Sequence, residues 1–252
     1  MIRLFLSGAN GKMGRVIQDL VQQSSDYCLV GGLDRQEDPD FPLYAQAASV
    51  SVDFDCLIDF SHPSFVDEVI TLIANKQCPA VIATTGLSKA QQEKIRQLSQ
   101  TVPIFQSANF SMGINLLIEL AKSCASVVYP DFNIEIIEAH HRHKVDAPSG
   151  TAYLIAHEIQ SHVNPTPTLC TDRSQSSQPR ACEEIGLSAI RGGSIVGEHE
   201  IWFAGHQEVI KLSHQAQSRD VFAQGALKAS AFLVNQPPGL YSMTDLLRLK
   251  RS

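Results

Sequence analysis

The sequence has no surplus of positive charge. Its 20 Lys+Arg stand against 26 Asp+Glu, a formal charge of −6, which argues against an affinity built on neutralising many phosphates and hence against nucleic acid as the main partner. No apolar run approaches the roughly 18 residues that cross a bilayer. The start, Met1 to Gly11, runs straight into a glycine turn without a signal-peptide cleavage pattern, so a soluble protein of the cytoplasm, away from membranes, is expected. The six cysteines, Cys28, Cys56, Cys78, Cys124, Cys170 and Cys182, include no C-x-x-C pair. Reduced thiols packed as small hydrophobes are expected, with no disulfide and no metal. No G-x-S-x-G elbow, P-loop or H-E-x-x-H occurs, which removes the usual entries to serine hydrolases, nucleoside triphosphatases and zincins. No internal repeat is visible.

What is present is an ordinary globular composition, 44% hydrophobic and 18% charged over 252 residues, enough for one large domain or two modest ones. Ile2 to Leu6 is apolar and β-prone, Gly8, Gly11 and Gly14 punctuate a turn, and Met13, Val16, Ile17, Leu20 and Val21 recur at helical spacing. Strand-sized runs follow at Tyr27 to Leu33, Cys56 to Phe60, Pro79 to Ala83 and Val102 to Gln106, each with polar groups at its carboxyl end. Helical patterns lie between them, one at Val66, Val69, Ile70 and Ile73, another opened by a Ser88/Gln91 capping box. Such alternation predicts a Rossmann-like parallel sheet covered on both faces.

After a helix through Leu116 to Cys124 the grammar changes. A long strand is expected at Phe132 to Ala139, a capped helix from Ser149, a loop from Asn164 to Glu184, then strands at Leu187 to Ile190, Val196 to Ala204 and Val209 to Gln215. Turn residues between them favour antiparallel strands in an open mixed sheet, a second unit of α+β type. One more amphipathic helix spans Phe222 to Leu233, and Tyr241 to Leu249 reads as a short terminal helix.

The loop Gly8-Ala9-Asn10-Gly11-Lys12-Met13-Gly14 stands where a helix N-terminus can seat a pyrophosphate, though its G-x-x-G-x-x-G spacing differs from the common fingerprint and equally suits a tight structural turn. Asp34 ends the next strand, where a dinucleotide fold keeps an acid for the ribose hydroxyls, and the adjacent Arg35 suits a 2′-phosphate. Thr84-Thr85-Gly86 and Ser107-Ala108-Asn109-Phe110 lie past strand ends on the same edge, as nicotinamide and ribose contacts would.

The strongest chemical signal runs from Glu138 to Ala152. His140, His141, Arg142, His143 and Lys144 crowd before a helix start at Gly150 and Thr151, whose N–H groups are expected to bind an anion. Histidine moves protons near neutral pH and lysine supplies a proton or a fixed charge. A metal site is disfavoured, because adjacent residues of an extended segment point oppositely and the nearby cations oppose a metal. A basic loop without chemistry is the plainer alternative, less apt for so dense a group. His157 and His162 read as surface residues, whereas His62, His199, His206 and His214 suit either a cleft or the core.

These motifs, with Ile58-Asp59-Phe60-Ser61 and Arg191 to His199, resemble the 4-hydroxy-tetrahydrodipicolinate reductase (dihydrodipicolinate reductase) family over nearly the whole chain. The resemblance implies a cofactor domain of residues 1–108 and 219–252 around a substrate-binding and oligomerisation domain of residues 109–218. It implies NADH or NADPH held at Gly8 to Met13, Asp34, Arg35, Ala83 to Thr85 and Ser107 to Phe110. It further implies His140 and Lys144 as catalytic groups, with His141, Lys144, Gly150 and Thr151 on a dicarboxylate substrate, and a homotetramer. The implied reaction adds hydride at C4 of a dehydrated cyclic imine. Two departures stand out: Ala83 where the family usually has Gly, adding a methyl near the expected cofactor, and a short segment from Gln36 to Asp53. A dehydrogenase of aspartate semialdehyde or homoserine, neither of which needs the His/Lys block, and a dinucleotide-sensing regulator without turnover, which should carry a separate interaction module, are the competing readings.

Overall fold

A computed structural model of the chain describes residues 1–35, 42–174 and 176–248, so Leu249 and the first part of the segment from Gln36 lie outside the described residues. The chain divides into two compact units, residues 1–112 with 219–252, and residues 113–218.

The first unit begins with β1 (Ile2–Ser7), α1 (Lys12–Gln22), β2 (Tyr27–Leu33), β3 (Leu43–Tyr44) and β4 (Cys56–Asp59). It continues through α2 (Val66–Lys76), β5 (Ala80–Ile82), α3 (Lys89–Leu98) and β6 (Pro103–Gln106) into α4 (Met112–Val128), which carries the chain into the second unit. Seven parallel strands lie in the order β12-β6-β5-β4-β1-β2-β3, with β12 (Gly239–Tyr241) contributed by the returning tail. Side chains alternate across this sheet. Leu4, Leu6, Cys56, Ile58, Val81 and Phe105 meet Ile17 and Val21 of α1, while Phe5, Leu57, Ala80, Ile82 and Ile104 meet Val69, Leu72 and Ile73 of α2 and Ile95 of α3. Both faces are therefore apolar, which is why these strands read as unbroken hydrophobic runs. The Ser88/Gln91 capping box is formed as expected. Strand order reverses between β1 and β4, and the crevice at such a switch point is where open α/β sheets bind ligands.

In the second unit come β7 (Asn133–His140), α5 (Gly150–Gln160), β8 (Thr168–Cys170), β9 (Glu184–Arg191), β10 (Gly197–Ala204) and β11 (Val209–Ala216). The sheet order is β11-β10-β7-β9-β8, with β7 at its centre. Ile134, Ile136, Ile201 and Phe203 pack under α4 and α5. The other face bears Trp202, with Lys211 3.7 Å over its ring, and half-exposed Ile190 and Val209. One sequence expectation needs correction. The stretch from Asn164 to Glu184 is not all loop, since it holds β8 and the first residue of β9. The sheet is mixed, as expected: β10 runs antiparallel to β7 and β11, and β9 runs parallel to β7 across a connection that includes α5. The tail adds α6 (Asp220–Leu233) and α7 (Met243–Arg248), which complete the α1 side of the first unit. Only Cys56 and Cys78 are buried; Cys182 is exposed and the other three thiols are intermediate. Among the described residues no helix is long and apolar enough to cross a membrane.

Candidate active site

At the switch point of the first unit the glycine loop turns sharply. Gly8 has φ +76°, and a Cβ there would stand 2.7 Å from the Phe60 carbonyl oxygen, so only glycine fits. Gly11 begins α1 without a side-chain cap, and the first turn carries no acidic residue. The helix start is thereby left suited to an anion. Asp34 accepts the N–H of Asn10 at 2.9 Å and that of Arg35 at 2.6 Å, bracing the loop against the end of β2. Arg35 donates to Ser64 Oγ at 2.7 Å and lies 6.0 Å from the Phe65 ring centroid. His62 closes this wall, its Nδ1 accepting the N–H of Ser64 at 3.2 Å.

Together these residues bound a cleft of about 590 Å³ that takes in Gly8, Asn10, Gly11, Asp34, Arg35 and Thr85. A second cleft of about 490 Å³, sharing Thr85, is bounded by Thr84, Gly86, Ser107 and Ala108 at the ends of β5 and β6. Beneath the edge, buried Asp59 accepts from Thr84 Oγ1 at 2.7 Å and from the Ser61 N–H at 3.1 Å, and its burial raises its pKa. The expected cofactor set is divided by this geometry. Ala9, Ala83 and Phe110 belong to the core under the clefts, and Lys12, Met13 and Asn109 line neither cleft. Asn109 instead accepts the Ser111 N–H through its side chain at 2.8 Å. The methyl of Ala83 therefore packs inward, away from both cavities. The fit to a dinucleotide rests on the uncapped start of α1, the braced acid at the end of β2 and the two clefts that meet at Thr85.

In the second unit Glu138 and His140 share one face of β7, being two residues apart. Glu138 is fully buried and accepts four hydrogen bonds: from His140 Nδ1 at 2.6 Å, from the Ser149 N–H at 2.9 Å, and from Arg191 Nη1 and Nη2 at 2.8 and 2.7 Å. Burial alone would raise its pKa, but those donors outweigh it and hold the carboxyl below its ordinary range. His140 is pulled the other way, its pKa lowered chiefly by burial while Glu138 opposes the shift. Lys144 pairs with Asp146 at 2.9 Å, and that contact lowers the Asp146 pKa.

Ser149 caps α5 by accepting the Ala152 N–H; exposed Gly150 and half-buried Thr151 follow at the helix start, where the Gly150 N–H acts on the Asp146 carboxylate. His199 lies across from Glu138 in the β10–β7 register. Its Nε2 is 3.2 Å from Ser149 Oγ, its ring meets that of His140 edge-on at 5.3 Å, and burial with the His140 charge pushes its pKa down to about 4. His141 points elsewhere, 6.3 Å from the His143 ring. His206 sits exposed in the β10–β11 turn, and His214 faces His199 across that pair of strands. Sequence reasoning assigned no role to Glu138, Arg191 or His199; the first was legible from strand alternation, the other two only once the pairing of β9 and β10 with β7 is known.

Two family models match the chain: dihydrodipicolinate reductase, N-terminus, over residues 2–110, and dihydrodipicolinate reductase, C-terminus, over residues 113–247. A 4-hydroxy-tetrahydrodipicolinate reductase of Caldanaerobacter subterraneus is 46% identical over 249 residues, covering 98% of this chain and 99% of the relative. One of Clostridium tetani is also 46% identical, covering 98% and 97%. Among solved structures, a dipicolinate-bound dihydrodipicolinate reductase from Paenisporosarcina sp. TG-14 superposes with TM-score 0.81 at 25% identity, covering 96% of this chain and 97% of the other.

Proposed function

The chain belongs to the dihydrodipicolinate reductase family, and from that premise we propose that it reduces 4-hydroxy-tetrahydrodipicolinate to tetrahydrodipicolinate, with loss of water, in diaminopimelate and lysine biosynthesis. The observation that carries the reading is His140, held through Nδ1 by the buried carboxylate that also takes the Ser149 N–H at the start of α5, with Lys144 near enough to act on the ring. Such a group holds and moves a proton at Nε2, beside a cation and a helix N-terminus suited to the carboxylates of a small diacid.

In this reading the first unit is the cofactor domain and the second the substrate domain. A nicotinamide dinucleotide supplies the hydride when bound. Gly11 and the start of α1 would hold its pyrophosphate, Asp34 and Arg35 its adenosine ribose, and Thr84, Thr85, Ser107 and Ala108 its nicotinamide end. Asp34 favours free ribose hydroxyls and Arg35 a 2′-phosphate, so NADH and NADPH are both taken as usable. Lys144, with Gly150 and Thr151 at the start of α5, would meet the substrate carboxylates, His141 would border them, and His140 would deliver a proton to the carbon next to the one that takes the hydride, which restores the ring imine. We further read the open face of the second sheet as the seam of a homotetramer, and the cytoplasm as the location.

The test is consumption of reduced nicotinamide with the condensation product of pyruvate and aspartate semialdehyde as substrate. Oxidation dependent on that product supports the reading. Silence with it, or turnover of aspartate semialdehyde or homoserine instead, overturns it.

A further inference from the structure

We propose that Glu138 is the positioning residue of this site, fixing which nitrogen of His140 carries the exchangeable proton and tying that nitrogen to the start of α5. The inference rests on the reductase reading for its kinetic consequences, though not for its chemistry.

The argument begins with the count of donors. Glu138 has no exposed surface, and its two oxygens accept from the Arg191 fork, the His140 ring and the Ser149 amide. A carboxylate so satisfied stays anionic although buried. An anionic oxygen 2.6 Å from His140 Nδ1 requires a hydrogen on that nitrogen, since two lone pairs at this distance repel. Nδ1 is thus protonated in both charge states of the ring, and Nε2 is the atom whose proton comes and goes. A Cβ at Gly197 would stand 3.2 Å from Nε2, so the absence of a side chain there keeps that atom approachable.

The same carboxylate reaches further than the imidazole. Its other oxygen holds the N–H of Ser149, the residue that caps α5. Arg191, forked over both oxygens, also donates to the Asp146 carbonyl, and the Asp146 side chain pairs with Lys144. One anion therefore sets the proton carrier and the helix start directly, and reaches the cation through Arg191 and Asp146 in turn.

The groups facing His140 are Glu138 on β7, Lys144 in the following loop, Arg191 on β9, and His199 on β10 with His214 behind it on β11. Of these only Glu138 draws a proton toward the ring; burial, Lys144 and Arg191 all oppose it.

A buried ion pair that merely braced the sheet would leave the His140 tautomer and its titration alone, which gives the test. Nitrogen-15 spectra of the wild type should show His140 protonated at Nδ1 throughout the titration, and a neutral ring protonated at Nε2 would overturn the proposal. Glu138→Gln keeps the shape and removes the charge. In the folded variant the neutral tautomers should mix, the His140 pKa should fall, and the limb of the kcat profile set by His140 should move to lower pH. kcat should drop on the order of 10²-fold while the Kd for NADPH changes by less than about twofold. Arg191→Lys, which leaves the carboxylate charged, should retain the Nδ1–H tautomer and lose less of kcat. A folded Glu138→Gln with unchanged tautomer and pKa overturns the proposal. If the wild type fails to reduce the substrate, the reductase reading falls, while the assignment of the proton to Nδ1 still stands or falls by the spectra alone.

Discussion

The carboxylate of Asp34 at the end of β2 holds the backbone of Asn10 in the glycine loop, 2.9 Å from the amide nitrogen. A residue expected to speak only to the ribose therefore also shapes the loop expected to carry the pyrophosphate. Asp34→Ala should weaken NADPH as well as NADH, because the loop loses its brace. Arg35→Ala, which removes a guanidinium resting on Ser64 and Phe65, should weaken NADPH by about tenfold, roughly 1.4 kcal/mol, and leave NADH nearly untouched. Fluorescence titration of each cofactor decides; an Asp34→Ala protein that binds NADPH better than wild type contradicts the bracing role.

Gly8→Ala should destabilise the first unit and abolish cofactor binding. The left-handed backbone alone costs about 1–2 kcal/mol for an L-residue, and the added methyl must also displace the Phe60 carbonyl. Urea unfolding and cofactor titration of the variant are the measurements, and wild-type values in both would refute the strain.

Changes at His140 and Lys144 should separate by kinetic signature. His140→Gln should lower kcat by about 10²–10⁴-fold without changing the cofactor Kd, since only proton transfer is lost. Lys144→Ala should raise KM for the dicarboxylate and lower kcat as well, because a fixed charge acts on both bound substrate and transition state. Pyridine-2,6-dicarboxylate, a planar mimic, should inhibit the Lys144 variant more weakly than wild type; equal inhibition would remove Lys144 from the substrate.

His199 should make the protein acid-sensitive before its carboxylates titrate. Its folded pKa is about 4 against an ordinary 6.5, so the unfolded chain takes up a proton that the folded one refuses. This contribution is intact above about pH 6.5 and is lost as pH falls toward about 4, by up to about 3 kcal/mol. His199→Gln should flatten the fall of the urea midpoint over that range; an unchanged slope would mean that the folded protein accommodates the charged ring.

Much of the fold was legible because its signals are local. The near-continuous apolar strands, the Ser88 and Ser149 caps and the glycine loop each depend on a few neighbouring residues, and each appears where the pattern puts it. The three-residue strands β8 and β12 escaped because so short a run carries no period of its own. The site was half legible. Clustering along the chain reveals His140, Lys144 and the α5 start, but Arg191 and His199 reach Glu138 only through strand pairing, 53 and 61 residues away along the chain. Phe110 shows the converse: its motif points to the cofactor edge, and its ring packs into the core, tilted against Phe60 and Phe105.

The two sealed cysteines give the first unit a gauge of its own integrity. Cys56 lies on the α1 side of the parallel sheet and Cys78 on the α2 side. Burial raises both thiols, Cys78 to about 12, and only the thiolate reacts readily. In the native protein a thiol reagent therefore meets exposed Cys182 first and reaches these two only when their layers part. The relative modification rates of Cys56 and Cys78 thus record whether the two sides of the sheet separate as one cooperative body or peel independently.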